Sequence, residues 1–206
     1  MATKPEVFII ETLDPKNERK ERFEGRIISS ILSLSGKTCE YYYVRTEKEL
    51  QHVLRLFARS GFRYLHLSCH GSRTRMYMTL DVIPFARLAE LLRPRLHNRR
   101  LFLSACDLTN YHLANRIFSS STPGCTSMLG PTRTVGFAQG AIFWSSLYHV
   151  MFAEDATAMK HGVLRAKAQA LADIYGLALN YFGRDSASER GYEFHQIEPN
   201  DNEPAA

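Results

Sequence analysis

Two segments of this 206-residue chain end an apolar, strand-like run on a reactive side chain. "YLHLSCHG", residues 64–71, delivers His70 with Gly71 behind it, and "LFLSACDL", residues 101–108, delivers Cys106. A thiol with a pKa of about 8.5 is a weak nucleophile at neutral pH, and an adjacent imidazole removes its proton or holds the thiolate as an ion pair. In such a pair Cys106 would attack an acyl carbon and His70 would protonate the leaving amine. Gly71 has no side chain to block a substrate, so its backbone N–H and that of Cys106 are the candidate oxyanion donors. The plainer readings stand beside this one: free cysteine is usually a small buried hydrophobe, and a histidine at a strand end is more often structural. What favours chemistry is that both residues occupy equivalent strand ends.

Those ends need a framework that brings them together. "VFII" at 7–10 reads as a strand, and the segment after it turns helical, with Phe23, Ile27, Ile31 and Leu34 spaced as one apolar stripe. "TCEYYYV" at 38–44 is strand-like. Thr46 and Glu49 then form a capping-box pattern before Leu50, Val53, Leu54 and Phe57, which predict an amphipathic helix closed by Gly61. "YLHLS" is the third strand; a short extended piece at "MYMTL" and a helix near "FARLAELL" follow. "LFLS" is the fourth strand and "TSMLG" the fifth, with long helices near 135–152 and 160–180. Strands apolar on both faces and alternating with helices predict an α/β sandwich around a mostly parallel sheet. In such sheets sites collect beyond the carboxyl ends of the strands, and consecutive strands are often neighbours.

Composition narrows the function classes. With 45% hydrophobic and 23% charged residues the chain is long enough for one substantial core. The net charge of +5 is uneven: residues 183–206 carry Arg184 and Arg190 against six acids, −4, leaving +9 on the rest. This defines residues 1–182 as the folded domain and 183–206 as an acidic, flexible tail, although "YEFHQI" has the pattern of an edge strand. The basic body, with Arg93, Arg95, Arg99 and Arg100 its clearest cluster, keeps open a nucleic-acid partner; a solvated loop is the favoured reading. Cys39, Cys69, Cys106 and Cys125 lack disulfide-framework or zinc-knuckle spacing, and the N-terminal apolar run is too short for a signal peptide, so a reducing cytoplasm is expected. Thr134–Ala153 lacks Asp, Glu, Lys and Arg, yet Gln139, Ser145, Ser146 and His149 favour a buried helix over a membrane span.

Other signals carry less. "SGKT" at 35–38 has Ile31 where a phosphate loop needs glycine, and reads as a helix stop. Cys69 and His70, with Cys106 and His66, suggest zinc ligands only superficially, because adjacent strand residues point to opposite faces. Cys69 therefore reads as packing, and no metal or cofactor is expected. His66, Tyr64 and Ser68 share the parity of His70, but a core role is preferred for them. Trp144 and Tyr148 fall at helical spacing and read as core aromatics.

Taken in order, "YLHLSCHG", "LFLSACDL", "SMLGPTRTVGFAQGAIFWSSLYHVMF" and "HGVLRAKAQA" resemble the CHAT domain, a branch of the caspase-like (clan CD) cysteine peptidases, over residues 5–180. The resemblance implies a caspase-like three-layer sandwich and peptide-bond hydrolysis by His70 and Cys106, with Gly71 as oxyanion donor. It further implies a protein substrate, a separate regulatory or sensor protein, and work as an effector of bacterial defence or cell death. Relatives that cleave after basic residues commonly have an acid two positions before the cysteine; that position is Ser104 here. Ser104 and Asp107 are the substrate-pocket candidates, although Asp107 equally fits a cap for the next helix or a loop-orienting role. A catalytically silent binding module and a nucleic-acid-associated protein are the alternative functions.

Overall fold

The computed structural model describes residues 3–118 and 124–200. Strand β1 (Lys4–Glu11) buries Val7, Phe8, Ile9 and Ile10 completely, on both faces, as a central parallel strand must. Helix α1 (Pro15–Arg19) is one short turn capped by Asp14, and α2 (Glu24–Leu34) leads to β2 (Cys39–Tyr43). Helix α3 (Glu47–Ser60) opens on the Thr46–Glu49 capping box, buries Leu50, Val53, Leu54 and Phe57, and stops at Gly61, whose φ of 74° is left-handed. Strand β3 (Phe62–Ser68) runs into a small antiparallel sheet of β4 (His70–Gly71), β5 (Arg75–Tyr77) and β6 (Val82–Pro84). After these come α4 (Phe85–Leu92), β7 (Arg100–Ser104), α5 (Tyr111–Phe118), β8 (Ser127–Pro131), α6 (Phe137–Glu154), α7 (His161–Tyr175), β9 (Leu179–Arg184) and β10 (Tyr192–Ile197).

The main sheet has the order β10-β9-β8-β7-β3-β1-β2. β2, β1, β3, β7 and β8 are parallel; β9 runs antiparallel to β8, and β10 antiparallel to β9. Two apolar clusters cover its faces. One gathers Phe8, Ile10, Leu65 and Leu67 with α3, α4 and α5, and the other gathers Val7, Ile9, Tyr64 and Phe102 with α2, α6 and α7. Helices on both faces of a mostly parallel sheet make the three-layer α/β sandwich that the strand pattern predicts.

Three expectations need correction. Helix α2 forms where expected but turns another face inward: Glu24, Gly25, Ile28 and Leu32 are buried, while Ile27 and Leu34 are 52% and 88% exposed. A carboxylate at the first position of the buried row hides that row from an apolar-spacing argument. The boundary at 182/183 falls inside β9, and residues 192–197 complete the sheet as its edge. That edge strand is "YEFHQI", as its pattern suggests, and the rings of Tyr192 and Phe194 pack against Phe182 at centroid separations of 5.3 and 4.9 Å; residues 201–206 lie outside the described residues. In the basic cluster, Arg99 is buried with its guanidinium 4.2 Å from the Phe57 ring centroid and donates to the Phe57 and Ala58 carbonyls. Arg100 is buried too, donating to Ser127 Oγ and the Met159 carbonyl.

The uncharged stretch from Thr134 supplies most of α6, which buries Trp144 and Tyr148 under the sheet. Among the described residues no helix is long and apolar enough to cross a membrane.

Candidate active site

β1, β3 and β7 lie side by side in the sheet, and their carboxyl ends supply the walls of one cleft. Past β3, the Cys69 N–H donates to the Ser104 carbonyl at 3.1 Å, carrying the β3–β7 pairing one step beyond the strands. His70 then pairs opposite Tyr77 in the small sheet, which fixes its backbone. Past β7, Cys106 sits at the start of a turn in which Asp107 has a φ of 56°, a left-handed conformation uncommon outside glycine, asparagine and aspartate. That turn brings Leu108 back beneath Gly71. A Cβ on Gly71 would fall 1.5 Å from Leu108 Cδ1 and 3.0 Å from the Cys106 carbonyl oxygen. Glycine after His70 is therefore what lets the two strand ends meet.

The turn is braced from both sides. Asn110 Nδ2 donates to the Asp107 carbonyl at 2.6 Å while its Oδ1 accepts from the His112 and Leu113 N–H groups. Asn180 Nδ2 on β9 donates to the Thr109 carbonyl at 2.7 Å. Asn110, and not Asp107, thus caps α5, and Asp107 is absent from the cleft walls. Ser104 is among them, together with His70, Cys106 and Cys69. Burial pushes the Cys69 thiol up, with Cys106 and Glu24 adding to the shift, which leaves Cys69 an inert neighbour.

The imidazole of His70 is held by residues outside the two motifs. Asp14 Oδ1 caps α1 by accepting from the Lys16 and Asn17 N–H groups, both at 2.8 Å. Its Oδ2 lies 3.2 Å from His70 Nε2. Desolvation raises the Asp14 carboxyl, but the Asn17 N–H, the His70 charge and the Lys16 N–H outweigh it and hold the group below the usual aspartate value. Asn17 Nδ2 lies 3.1 Å from the same Nε2 and 2.6 Å from Asp14 Oδ2. These neighbours ask opposite things of Nε2, since Asn17 offers a proton and Asp14 accepts one. An ionised carboxylate is the stronger partner, so Nε2 carries the proton and donates to Asp14. That tautomer leaves Nδ1 as the unprotonated ring nitrogen. The Phe137 ring also packs against the imidazole, edge-on at 5.7 Å between centroids.

The cleft is narrow, about 30 Å³, the room of one or two water molecules. Leu13, Val135 and Phe137 form its apolar walls, and Ser68, Ser104 and Glu24 its polar ones. Asp14, Asn17, Phe137 and Glu24 escape a search for reactive pairs, although "LDPK" at 13–16 bears a visible signal: an aspartate before proline past an apolar strand marks a helix cap at a third strand end. His66 and Tyr64 do not reach the cleft. Burial pushes the His66 imidazole down to about 3, and it packs neutral against Trp144 with Nδ1 2.9 Å from the Tyr148 hydroxyl. Among the described residues, no three His, Cys, Asp or Glu side chains are grouped to hold a metal ion.

This arrangement of strands and helices recurs in solved structures. Caspase-1 from Spodoptera frugiperda superposes with a TM-score of 0.55 at 14% identity, over 96% of this chain and 86% of that one. The fold is caspase-like. The complex of the pro- and mature domains of RgpB from Porphyromonas gingivalis matches at 0.52 and 16% identity, over 84% of this chain and 44% of that one. A secreted C11 cysteine protease from Bacteroides thetaiotaomicron, iotapain, matches at 0.50 and 10% identity, over 89% and 67%. No protein-family profile and no curated protein sequence matches the chain. At these identities the caspase-like likeness is one of fold.

Proposed function

We propose that this chain is a cysteine endopeptidase of the CHAT branch, cleaving a protein substrate through Cys106 and His70. The observation that carries the reading is that His70 and Cys106 line one cleft, with the His70 ring anchored through Nε2 to Asp14. In the first half-reaction the Cys106 proton passes to His70 and Sγ bonds to the scissile carbonyl carbon. The carbonyl electrons move onto oxygen, where the backbone N–H groups of Gly71 and Cys106 are the proposed donors. The C–N bond then breaks as His70 returns the proton to the leaving amine, leaving a thioester. In the second half-reaction His70 takes a proton from water, the hydroxide displaces Sγ, and the thiol recovers its proton.

Assignment to the CHAT branch and to a defence or cell-death effector under a separate regulatory protein rests on the likeness of "YLHLSCHG" and "LFLSACDL" to that branch. With Arg99 and Arg100 committed to internal carbonyls, half of the basic cluster is withdrawn from any nucleic-acid partner.

The test is labelling by an electrophilic peptidyl probe. Wild type should be modified at Cys106, Cys106→Ala should not react, and His70→Ala should react at least a hundredfold more slowly, within the range of general acid–base contributions. Equal labelling of wild type and His70→Ala would mean a catalytically silent module.

A further inference from the structure

A second cavity opens at the amino ends of the strands whose carboxyl ends form the cleft. Thr3, Gly61 and Arg99, the residues just before β1, β3 and β7, border a space of about 440 Å³ with Arg59 and Arg95 at its sides. That volume lies within the roughly 300–1,000 Å³ of small-molecule sites. The Lys4 N–H donates to the Gly61 carbonyl at 2.8 Å and Arg63 Nε to Thr3 Oγ1 at 2.8 Å, so these walls are fixed in the free protein.

Two of the cations are fixed as well. Arg99, 7% exposed, donates to the Phe57 and Ala58 carbonyls at 2.9 and 3.0 Å, and Arg95 donates to the Leu91 carbonyl. These bonds close the last turns of α3 and α4, and each uses only part of a guanidinium's donors. Helix capping accounts for Arg95 and Arg99, but not for the exposed Arg59 beside them. No acid lines the cavity, and among the described residues no carboxylate pairs with Arg55, Arg59, Arg95 or Arg99. Burial and then the nearby Arg55 charge push the Arg95 guanidinium below its usual value. Like charges gathered without a counter-ion repel one another, and a bound anion offsets that repulsion.

The shape narrows the anion. Guanidinium groups recognise phosphate oxygens in pairs, and several arginines suit more than one phosphate. A phosphate chain alone leaves the cavity part-filled, and the remaining walls are Ala58, Pro94 and the His97 ring, which suit a flat apolar group.

We propose that this cavity binds a nucleoside di- or triphosphate, with the phosphates on Arg59, Arg95 and Arg99 and the base against Ala58, Pro94 and His97. The site is independent of the reaction at Cys106. Arg99 is too deep for a nucleic-acid backbone, yet it borders a space that a small ligand can enter.

Calorimetric titration of the full chain with ATP, inorganic pyrophosphate and adenosine tests the site at roughly 0.15 M salt, where exposed charges more than about 8 Å apart are screened. ATP should bind once per chain, and pyrophosphate and adenosine at least tenfold more weakly. Arg59→Glu should weaken ATP binding at least tenfold, whereas Lys48→Glu, the same charge reversal in the first turn of α3, should leave it within twofold. The comparison of the three ligands on wild type stands even if a variant folds poorly. Absence of ATP binding, pyrophosphate or adenosine binding as tightly as ATP, or an affinity in Arg59→Glu no lower than in Lys48→Glu would overturn the assignment.

Discussion

Asp14 divides its two oxygens between two tasks. Oδ1 ends α1 and Oδ2 faces His70 Nε2, so one carboxylate joins a helix start to the orientation of an imidazole. Asparagine caps helices about as well as aspartate, which makes Asp14→Asn a clean probe of the second task. The variant should keep its melting temperature within about 2 °C. Its rate of Cys106 labelling should fall roughly threefold to tenfold, because a charged acceptor becomes a neutral one on a partly exposed pair. An unchanged rate would show that Asn17 and Phe137 suffice to hold the ring.

At the level of elements, the cleft depends on how closely the ends of β3 and β7 approach. Gly71 sets that spacing: the backbone of β4 lies against Leu108 and the Cys106 carbonyl with no side chain between them. In Gly71→Ala the Leu108 side chain must move and the carbonyl must give way. A destabilisation of about 1–3 kcal/mol is expected from such overpacking, measured by denaturant unfolding, together with loss of labelling at Cys106. Full labelling would mean that the turn at Asp107 absorbs the extra methyl group. Helix α2 makes the complementary point. Its rotation is set by what it must bury, and the row that includes Glu24 goes inward although Ile27 and Leu34 would offer more apolar surface.

For the whole molecule, the buried carboxyls give stability a pH dependence with a definite sign. Desolvation raises Glu11 despite hydrogen bonds from the Gly25 N–H and the Tyr41 hydroxyl, and burial raises Glu24 from 4.5 to about 8. The folded chain therefore holds these protons more tightly than the unfolded chain does. The Glu24 contribution is complete below pH 4.5 and is lost as the pH rises through about 8. The melting temperature should fall between pH 5 and pH 8.5, and Glu24→Gln should flatten that fall; parallel profiles would contradict it.

Local patterning decided much of this molecule in advance. Apolar runs such as "VFII" and "LFLS" must be buried on both faces, the Thr46–Glu49 box must start a helix, and His70 and Cys106 must therefore arrive at the ends of parallel strands. These features are short-range, and a chain displays short-range physics in its residue order. Three features needed contacts between residues distant in sequence. Asp14 meets His70, and Ser104 meets Glu24, across separations of 56 and 80 residues that no periodicity encodes. The inward turn of α2 likewise runs against its own apolar stripe, because a buried carboxyl in a cleft is a property of the assembled walls. Residue order carried the reactive pair, and packing supplied the anchor beside it and the buried carboxyl beneath it.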